Sequence, residues 1–444
     1  MTYTTREVTP PAVAAGPKRG GEGRGRRAWA EPSVWTERML TTLDNGVKGG
    51  VWFSLMDKVY SPKNLRAAWE RVAKNDGAAG VDRQTVANFA TQAESSLKWL
   101  HEQLRDGTYR PAAVRRKWIS KPGTTKQRPL GIPTVRDRVV QTALRNVLEP
   151  IFECRFDDHS YGFRPGRGCK DGLRRVVELL RGGHIWVVDA DVESYFDTIP
   201  RKKLMGEVRK EVGDGSLLML LEEFLAQKVM DGMQEWEATE GTPQGAVISP
   251  LLANIYLHPV DVALRNAGLE VVRYADDLVI LCKTEVQAQE ALGLLAAQMS
   301  ERGLKLHPEK TRVVDVTQPG GFDFLGYHFE QGRKTPRKKS LRNLKDNIKA
   351  KTPRNSGRSL ADVIRRLNES LRGWYEYFKH AERDVFNSVD SFARRRLRGI
   401  LKRFEKKRGG SAAGYANIKW PNAFFKERGL FSLAAAREAY GQSR

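Results

Sequence analysis

Two adjacent aspartates interrupt a strongly apolar segment, and this feature constrains the fold more than any other. The segment VVRYADDLVILC consists of two β-prone runs on either side of Ala275, Asp276 and Asp277. Such a pattern predicts a β-hairpin with acidic residues at its turn. Because Asp is a favoured turn residue, an isolated Asp-Asp pair would ordinarily be only a turn dipeptide. The pair therefore needs a second acidic element before it can be given a chemical role.

That second element lies 85 residues upstream of Asp276. HIWVVDADV is a continuous apolar run that ends in carboxylates, which is typical of a buried strand whose C-terminal end reaches a site. An antiparallel sheet that pairs this strand with the hairpin would place Asp191, Asp276 and Asp277 at one edge. Joining a nucleotide to a 3′ hydroxyl requires two hard cations about 3.5–4 Å apart, which clustered carboxylates can hold. The three aspartates are therefore candidate ligands for two Mg²⁺ ions, or for Mn²⁺ in their place.

The charge of the chain predicts a polyanionic partner. Among its 444 residues, Lys and Arg exceed Asp and Glu by 23, which favours nucleic acid over a membrane surface. Residues 331–410 contain 25 Lys or Arg against 8 Asp or Glu, and so carry 17 of the excess charges. The C-terminal third is therefore the predicted electrostatic footprint.

Cysteine usage and hydropathy exclude several other classes of protein. Cys154, Cys169 and Cys282 form no CxxC pair, which argues against a structural zinc site and fits a reducing compartment. No run approaches about 18 uninterrupted apolar residues, and the N-terminus lacks the apolar core of a signal peptide. We therefore expect a cytoplasmic protein with no membrane partner.

Local patterns predict the order of elements along the chain. Residues 1–50 are rich in Gly, Pro, Ala and Arg without periodicity, which predicts a flexible basic arm. VRRKWIS and QRPLGIPT flank the turn-rich KPGTTK and predict a hairpin with a basic tip. SYGFRPGRG predicts a glycine-rich loop, GGFDFLGYHF a short strand, and the sequence beyond Arg333 a basic helical region. The helices of that region are expected near residues 340–350, 358–380, 386–407 and 430–440.

An ordered series of motifs resembles the group II intron-encoded reverse transcriptase/maturases across residues 52–440. The motifs are LMDKVYSPKNLRAAWERV, NDGAAGVD, QRPLGIPTVRDRVVQ, SYGFRPGRG, DADVESYFD, GTPQGAVISPLLANIYL, YADD, LKLHPEKT and FDFLGY. The resemblance implies an α+β right-hand polymerase with fingers at 51–180 and an antiparallel palm sheet at 181–332. An all-helical thumb and maturase region would follow at 333–444.

The resemblance also assigns roles around the metal site. Asp191, Asp276 and Asp277 resemble the family's metal ligands, and Val192 would offer its backbone carbonyl to the second ion. Phe196 occupies the position of the sugar gate, where an aromatic ring would collide with a 2′-hydroxyl and select deoxynucleotides. Two alternatives are open: Phe196 is a palm core residue without this role, or Tyr195 takes the role if the register shifts by one residue.

Further residues resemble those that bind the nucleotide and the nucleic acid. Lys121 and Arg128 on the fingers hairpin would clamp the incoming triphosphate, and Gln244 would lie against the nucleotide and template. Expected contacts to nucleic acid come from Arg164 and Arg167 in the glycine-rich loop and from one thumb helix, at Arg394, Arg395, Arg396 and Arg398. Most aromatic residues of LRGWYEYF, at 371–378, are expected in the thumb core.

The implied function is RNA-directed DNA synthesis in the service of an intron. Such a protein would bind its structured intron RNA, assist splicing, and copy an RNA template from a DNA primer at a DNA target with dNTPs, in the bacterial cytoplasm or nucleoid. Because no cysteine follows Cys282, a zinc-binding HNH endonuclease is not expected. Two alternatives stay open: an RNA-binding splicing factor with an idle polymerase, and a reverse transcriptase recruited for defence or repair without an intron.

Overall fold

The structure is a computed structural model that describes most of the chain. The described residues are 27–47, 49–120, 127–232, 234–236, 240–242, 245–353, 355, 357–407 and 416–442. Within them, the elements form an N-terminal α/β region, a central antiparallel sheet with helices on both faces, and a C-terminal region dominated by helices. No helix in this part of the chain is long and apolar enough to cross a membrane.

The prediction for the N-terminal segment is wrong for residues 27–47. A flexible arm was expected over residues 1–50, but residues 27–47 are folded against the body of the protein. Trp35 is fully buried, and its Nε1 donates to the Asn146 carbonyl oxygen at 2.9 Å. Helix α1 (Glu37–Asn45) is capped by Thr36, whose hydroxyl accepts a hydrogen bond from the Met39 amide. Residues 1–26 lie outside the described part of the chain.

Helices form most of the predicted fingers region. The longest, α6 (Val135–Glu153), is buried on nearly all sides, because polar residues such as Asp137, Gln141 and Asn146 are buried as well as its apolar stripe. It packs against α3, and together these helices form the centre of the region. The bounds are α2 (Met56–Val59), α3 (Pro62–Asn75), α4 (Val86–Ala90), α5 (Ala93–Arg105), α6 (Val135–Glu153) and α7 (Cys169–Arg181).

The predicted basic hairpin is present as part of a larger sheet. Strands β1 (Val114–Ser120) and β2 (Gln127–Ile132) pair antiparallel, with Ile119 opposite Arg128. Two later strands, β4 (Val229–Asp231) and β5 (Gln234–Trp236), extend the sheet to the order β2-β1-β4-β5. The tip of the hairpin, residues 121–126, lies outside the described residues.

The central sheet has antiparallel pairing throughout, with the strands in the order β6 (Glu270–Tyr274), β7 (Asp277–Cys282), β3 (Trp186–Ala190) and β8 (Arg312–Asp315). Its alternating residues belong to two cores: Val188 and Ile280 face the helices at 249–266 and 285–301, while Val187 and Val279 face α7 and the C-terminal region. This two-sided burial explains why the strands are continuously apolar. The bounds are β3 (Trp186–Ala190), α8 (Tyr195–Thr198), α9 (Arg201–Arg209), α10 (Gly215–Leu225), α11 (Ser249–Asn266), β6 (Glu270–Tyr274), β7 (Asp277–Cys282), α12 (Glu285–Glu301) and β8 (Arg312–Asp315).

The C-terminal region follows the predicted helices closely and departs from the prediction at its start. GGFDFLGYHF, expected as one strand, forms two, and a third strand at 333–336 joins them in a sheet of order β11-β10-β9. This sheet and the helices share one apolar core with the back of the central sheet. The bounds are β9 (Phe322–Phe324), β10 (Tyr327–Glu330), β11 (Arg333–Pro336), α13 (Lys338–Lys351), α14 (Leu360–Phe378), α15 (Arg383–Lys407), α16 (Ala416–Lys419), α17 (Asn422–Glu427) and α18 (Leu433–Gln442).

Candidate active site

The register of the central sheet brings the predicted acids to one edge. Ala190 of β3 pairs with Leu278 of β7, so one further step along both strands places Asp191 opposite Asp277. Directly opposed residues in an antiparallel pair have Cβ atoms about 4.5–5.5 Å apart. Tyr274 pairs with Asp277, which leaves Ala275 and Asp276 as a two-residue turn, with Ala275 at φ 60°. The three acids therefore share the end of the β3–β7 ladder.

The electrostatics of this edge show that the acids interact. Asp277 keeps access to solvent, but the protein packed around its carboxyl raises its pKa to about 6, and the charges of Asp276 and Asp191 add to the rise. Burial also raises the pKa of Asp276, against the lowering effect of Arg128. Like charges in such proximity favour protonation, and a divalent cation would relieve their repulsion. The edge is therefore suited to binding cations.

The donor set fits Mg²⁺, whose preferred ligands are carboxylate oxygens. As the side chains stand, Asp191 is occupied by an ion pair in which Lys310 Nζ lies 2.6 Å from its carboxylate. Across the described residues, no three His, Cys, Asp or Glu side chains converge closely enough to hold a metal ion. Coordination by all three aspartates would therefore require Asp191 to exchange Lys310 for an ion.

Lys310 belongs to a segment that contacts the acidic end of β3. The His307 amide donates to the Asp191 carbonyl oxygen at 2.8 Å, and the Glu193 amide donates to the Lys305 carbonyl oxygen at 2.9 Å. Val192 lies between them, with its side chain buried. The motif LKLHPEKT marked this segment, but sequence reasoning singled out no residue within it. The role predicted for the Val192 carbonyl stays a prediction.

A buried arginine holds the turn formed by Ala275 and Asp276, and sequence reasoning missed it. Arg273 is 1% exposed, and its guanidinium donates to both carboxylate oxygens of Asp261, at 2.7 and 2.5 Å. It also donates to Asn254 Oδ1 and to the Ala275 carbonyl oxygen, both at 2.9 Å. The signal in the sequence was a charged residue within an otherwise apolar strand, which requires a buried partner.

The glycine-rich loop docks onto the same turn. The Tyr161 amide donates to the Arg273 carbonyl oxygen at 2.8 Å, and Asn254 Nδ2 donates to the Gly162 carbonyl oxygen at 2.8 Å. A Cβ atom at Gly162 would lie 2.3 Å from the Ala275 nitrogen. Only glycine permits this approach, so the loop SYGFRPGRG and the turn YADD form one unit.

The two candidates for the sugar gate occupy different environments. Tyr195 is 2% exposed, and its hydroxyl donates to the Ala253 carbonyl oxygen at 2.6 Å, so its ring belongs to the core. Phe196 is half-buried, and its ring lies 6.5 Å from that of Phe163 in the docked loop. Of the two rings, that of Phe196 is the one that keeps access to solvent, and its role as sugar gate stays a prediction.

The residues expected to bind the nucleotide are described only in part. Arg128 is exposed on β2, and its charge lowers the pKa of Asp276, so its guanidinium lies on the side of the acids. Lys121 and Gln244 lie outside the described residues.

The arginines of the glycine-rich loop require a correction. The Arg164 side chain is 2% exposed and pairs with Glu153 at 2.8 Å, and its guanidinium also donates to the carbonyl oxygens of Asp157 and Ser160. The prediction that it contacts nucleic acid is therefore wrong, because the group is buried and bonded within the protein. Arg167 pairs with Asp158 at 2.8 Å and keeps partial exposure, so its predicted contact stays a prediction.

The basic face of α15 is divided between protein and solvent. Arg396 donates to the Thr352 carbonyl oxygen at 2.6 Å, where α13 ends. Arg398 donates to the Trp420 carbonyl oxygen at 2.9 Å and stands over the ring of Phe425. Arg395 is exposed and Arg394 is half-exposed, so these two form the accessible part of the predicted surface.

Comparisons with known proteins agree with this geometry. Residues 119–329 match the family described as reverse transcriptase (RNA-dependent DNA polymerase), and residues 341–415 match the group II intron maturase-specific domain. The group II intron-encoded protein LtrA of Lactococcus lactis subsp. cremoris is 39% identical over 202 residues, which cover 45% of this chain and 33% of LtrA. Protein YkfC of Escherichia coli (strain K12) is 32% identical over 323 residues, which cover 63% of this chain and 83% of YkfC.

One solved structure in the comparison is a partial Cas6-RT-Cas1–Cas2 complex. Its matching chain is 27% identical, with a TM-score of 0.36 over 56% of this chain and 41% of that chain. A TM-score this low does not establish a shared fold. The family match over 119–329, together with the central sheet and its acidic edge, defines a right-hand polymerase fold.

The match to the maturase-specific domain then identifies one family within the right-hand polymerases. The chain belongs to the group II intron-encoded reverse transcriptase/maturases. The match to LtrA spans a third of that protein's length, so LtrA's activity is not transferred to this chain by the comparison itself.

Proposed function

We propose that this protein is an RNA-directed DNA polymerase that binds a group II intron RNA, assists its splicing and copies RNA into cDNA. The observation that carries the proposal is the shared edge of β3 and β7, where Asp191, Asp276 and Asp277 interact electrostatically. The match of residues 341–415 to the maturase-specific domain supports the intron RNA as partner.

The proposed chemistry is nucleotidyl transfer with two bound Mg²⁺ ions. When bound, the ions would lower the pKa of the primer 3′ hydroxyl and neutralise charge on the triphosphate. Asp191, Asp276 and Asp277 would hold them. Arg128 would bind the triphosphate as a fixed cationic donor, and the Phe196 ring would exclude a 2′-hydroxyl.

The C-terminal region supports the choice of RNA. Most of its excess positive charge lies in residues 341–415, which match the maturase-specific domain, and Arg394 and Arg395 of α15 keep part of their surface exposed. Phosphate contacts of this kind confer affinity without base specificity. The remaining partners in the proposal are an RNA template with its DNA primer, dNTPs and target DNA.

A double substitution tests the catalytic proposal. Asp276→Asn with Asp277→Asn should abolish extension of a DNA primer on an RNA template, because amides cannot supply the charge that holds the ions. Binding of the RNA, measured by filter retention, should be retained. Asp346→Asn on exposed α13 is the matched control and should extend the primer as the unmodified protein does. Extension by the double variant would refute the assignment of these aspartates.

A splicing assay separates the intron role from polymerase activity. A precursor RNA that carries the group II ribozyme flanking the gene should splice faster at low Mg²⁺ when the protein is added, for the unmodified protein and the double aspartate variant alike. If the flanking sequence encodes no such ribozyme while primer extension is intact, the protein is a reverse transcriptase that serves no intron. If splicing is assisted without any extension by the unmodified protein, the polymerase is idle.

A further inference from the structure

Phe163 has an unusual backbone and an unusual exposure for a large apolar residue. Its φ is 59°, in the left-handed region, and 44% of its surface is exposed. A bulky side chain rarely adopts this conformation, and residues held in it concentrate at functional sites. The residue lies in the motif SYGFRPGRG. The proposed function assigns no role to Phe163.

The neighbours of Phe163 hold it in this conformation. On one side, the Gly162 carbonyl oxygen accepts from Asn254, and the Gly162 backbone is pressed against the Ala275 nitrogen. On the other side, the Arg164 guanidinium is buried against Glu153. With both neighbours anchored, the loop cannot relax by rotating Phe163 inward. The exposed position of its ring is therefore set by the surrounding structure.

The ring of Phe163 joins the two parts of the proposed site. Its centroid lies 6.5 Å from that of Phe196 in an edge-on arrangement at 76°, and 6.4 Å from that of Tyr274. Phe196 also contacts Tyr195 edge-on at 5.5 Å. The ring of Phe196 is thus bounded by the core residue Tyr195 and by Phe163, which is anchored to the catalytic turn.

We infer that Phe163 is a specificity-determining residue that positions Phe196, so that exclusion of ribonucleotides depends on both rings. The inference rests on the proposed function. A gate excludes a 2′-hydroxyl only if its ring cannot turn aside when the hydroxyl presses on it. Removing the Phe163 ring opens space next to Phe196. The Phe196 ring can then rotate into this space and admit the 2′-hydroxyl of a ribonucleotide. The ligand class is the sugar of an incoming nucleoside triphosphate.

The experiment compares three substitutions by the ratio of kcat/KM for a dNTP to that for the matching rNTP, in single-nucleotide extension on an RNA template. Phe163→Ala removes the ring, Phe163→Gly removes the ring and relieves the backbone, and Phe163→Tyr keeps the ring. We expect the first two to lower the ratio about 10-fold or more, in the range that loss of apolar contacts in a pocket produces, and the third to preserve it. Because both substrates are measured on one preparation, the ratio does not depend on the fraction of folded enzyme.

Two further variants make the test specific. Phe53→Ala removes an aromatic ring that is 64% exposed and packs beside Gly213, and it should leave the ratio unchanged. Phe196→Ala should abolish most of the discrimination, and adding Phe163→Ala to it should lower the ratio no further, since the two rings act together. Additive losses would show that Phe163 acts independently of Phe196 and would overturn the inference.

The outcomes distinguish this inference from the proposed function. If Phe163→Ala and Phe163→Gly both discriminate as the unmodified protein does, while Phe196→Ala loses discrimination, the inference fails and the polymerase proposal stands. If the unmodified protein extends no primer with either substrate, the proposed function fails and the inference fails with it.

Discussion

The Arg273 network makes the sharpest prediction about how the fold supports the site. Its guanidinium makes four hydrogen bonds, two to Asp261 and one each to Asn254 and the Ala275 carbonyl oxygen. Arg273→Met keeps much of the side-chain volume but leaves Asp261, which is 4% exposed, as an unpaired buried charge. Removing one partner of such a pair costs about 3–5 kcal/mol. We therefore expect the free energy of unfolding to fall by about that amount, measured by urea denaturation.

A double variant separates stability from positioning. In Arg273→Met with Asp261→Leu, both charges are removed, and replacing a buried ion pair by apolar residues is often neutral or stabilising. The free energy of unfolding should recover toward that of the unmodified protein. Primer extension should not recover, because the carbonyl oxygen of Ala275 still lacks its donor and the turn that carries Asp276 is no longer held.

An exposed pair provides the control for these measurements. Arg209 and Glu222 form an ion pair in which each side chain is about half exposed, so Arg209→Met should change the free energy of unfolding by less than about 1 kcal/mol. If Arg273→Met is no more costly than this control, the pair is not buried as described. Full recovery of primer extension in the double variant would refute the positioning role of Arg273.

Three further predictions follow from burial and charge. Trp35→Ala should cost about 3–5 kcal/mol of unfolding free energy by urea denaturation, whereas Trp236→Ala, which is 46% exposed, should cost less than about 1 kcal/mol. Equal costs would contradict the packing of residues 27–47. Burial lowers the pKa of His258 from its ordinary 6.5, so stability should be complete above that pH and fall as the pH drops below it. His258→Gln should flatten this fall in urea melts across the acid range, and an unchanged pH dependence would exclude His258 as the cause. Arg394→Ala with Arg395→Ala should make the slope of log affinity for RNA against log salt shallower by about 2 units, and an unchanged slope would show that neither group contacts phosphate.

Elements with strong local patterns could be predicted from the sequence. The hairpin around Ala275 combines two apolar runs with a turn dipeptide, and the C-terminal helices combine an apolar face with a basic one. Both patterns depend on neighbours within a few positions, so the chain alone contains the information. The division of GGFDFLGYHF into two strands was missed because Leu325 and Gly326 form the turn with positive φ, which the apolar run concealed.

Long-range partners could not be predicted in the same way. Trp35 lies in a stretch without periodicity, and its burial depends on a helix more than a hundred positions away. Arg164 was expected to contact nucleic acid from the glycine-rich loop, yet it is paired with Glu153 inside the protein. Composition and spacing cannot distinguish an arginine that is exposed to nucleic acid from one that is buried against a carboxylate. The two cases differ only in which distant residues the fold places next to the guanidinium.

The same reasoning explains why the acids were found and their supports were not. Asp276 and Asp277 gain a chemical role because a second apolar run ends in Asp191, and both acidic strand ends are visible in the sequence itself. Arg273 is also visible as a charge within an apolar strand, but its partner Asp261 lies on a helix twelve positions earlier and has no distinguishing pattern there. The turn that carries Asp276 is therefore held by a contact that only the fold creates. A buried charge in an apolar strand next to a candidate site is consequently part of the structure that holds that site. Its role follows from the partner with which it pairs.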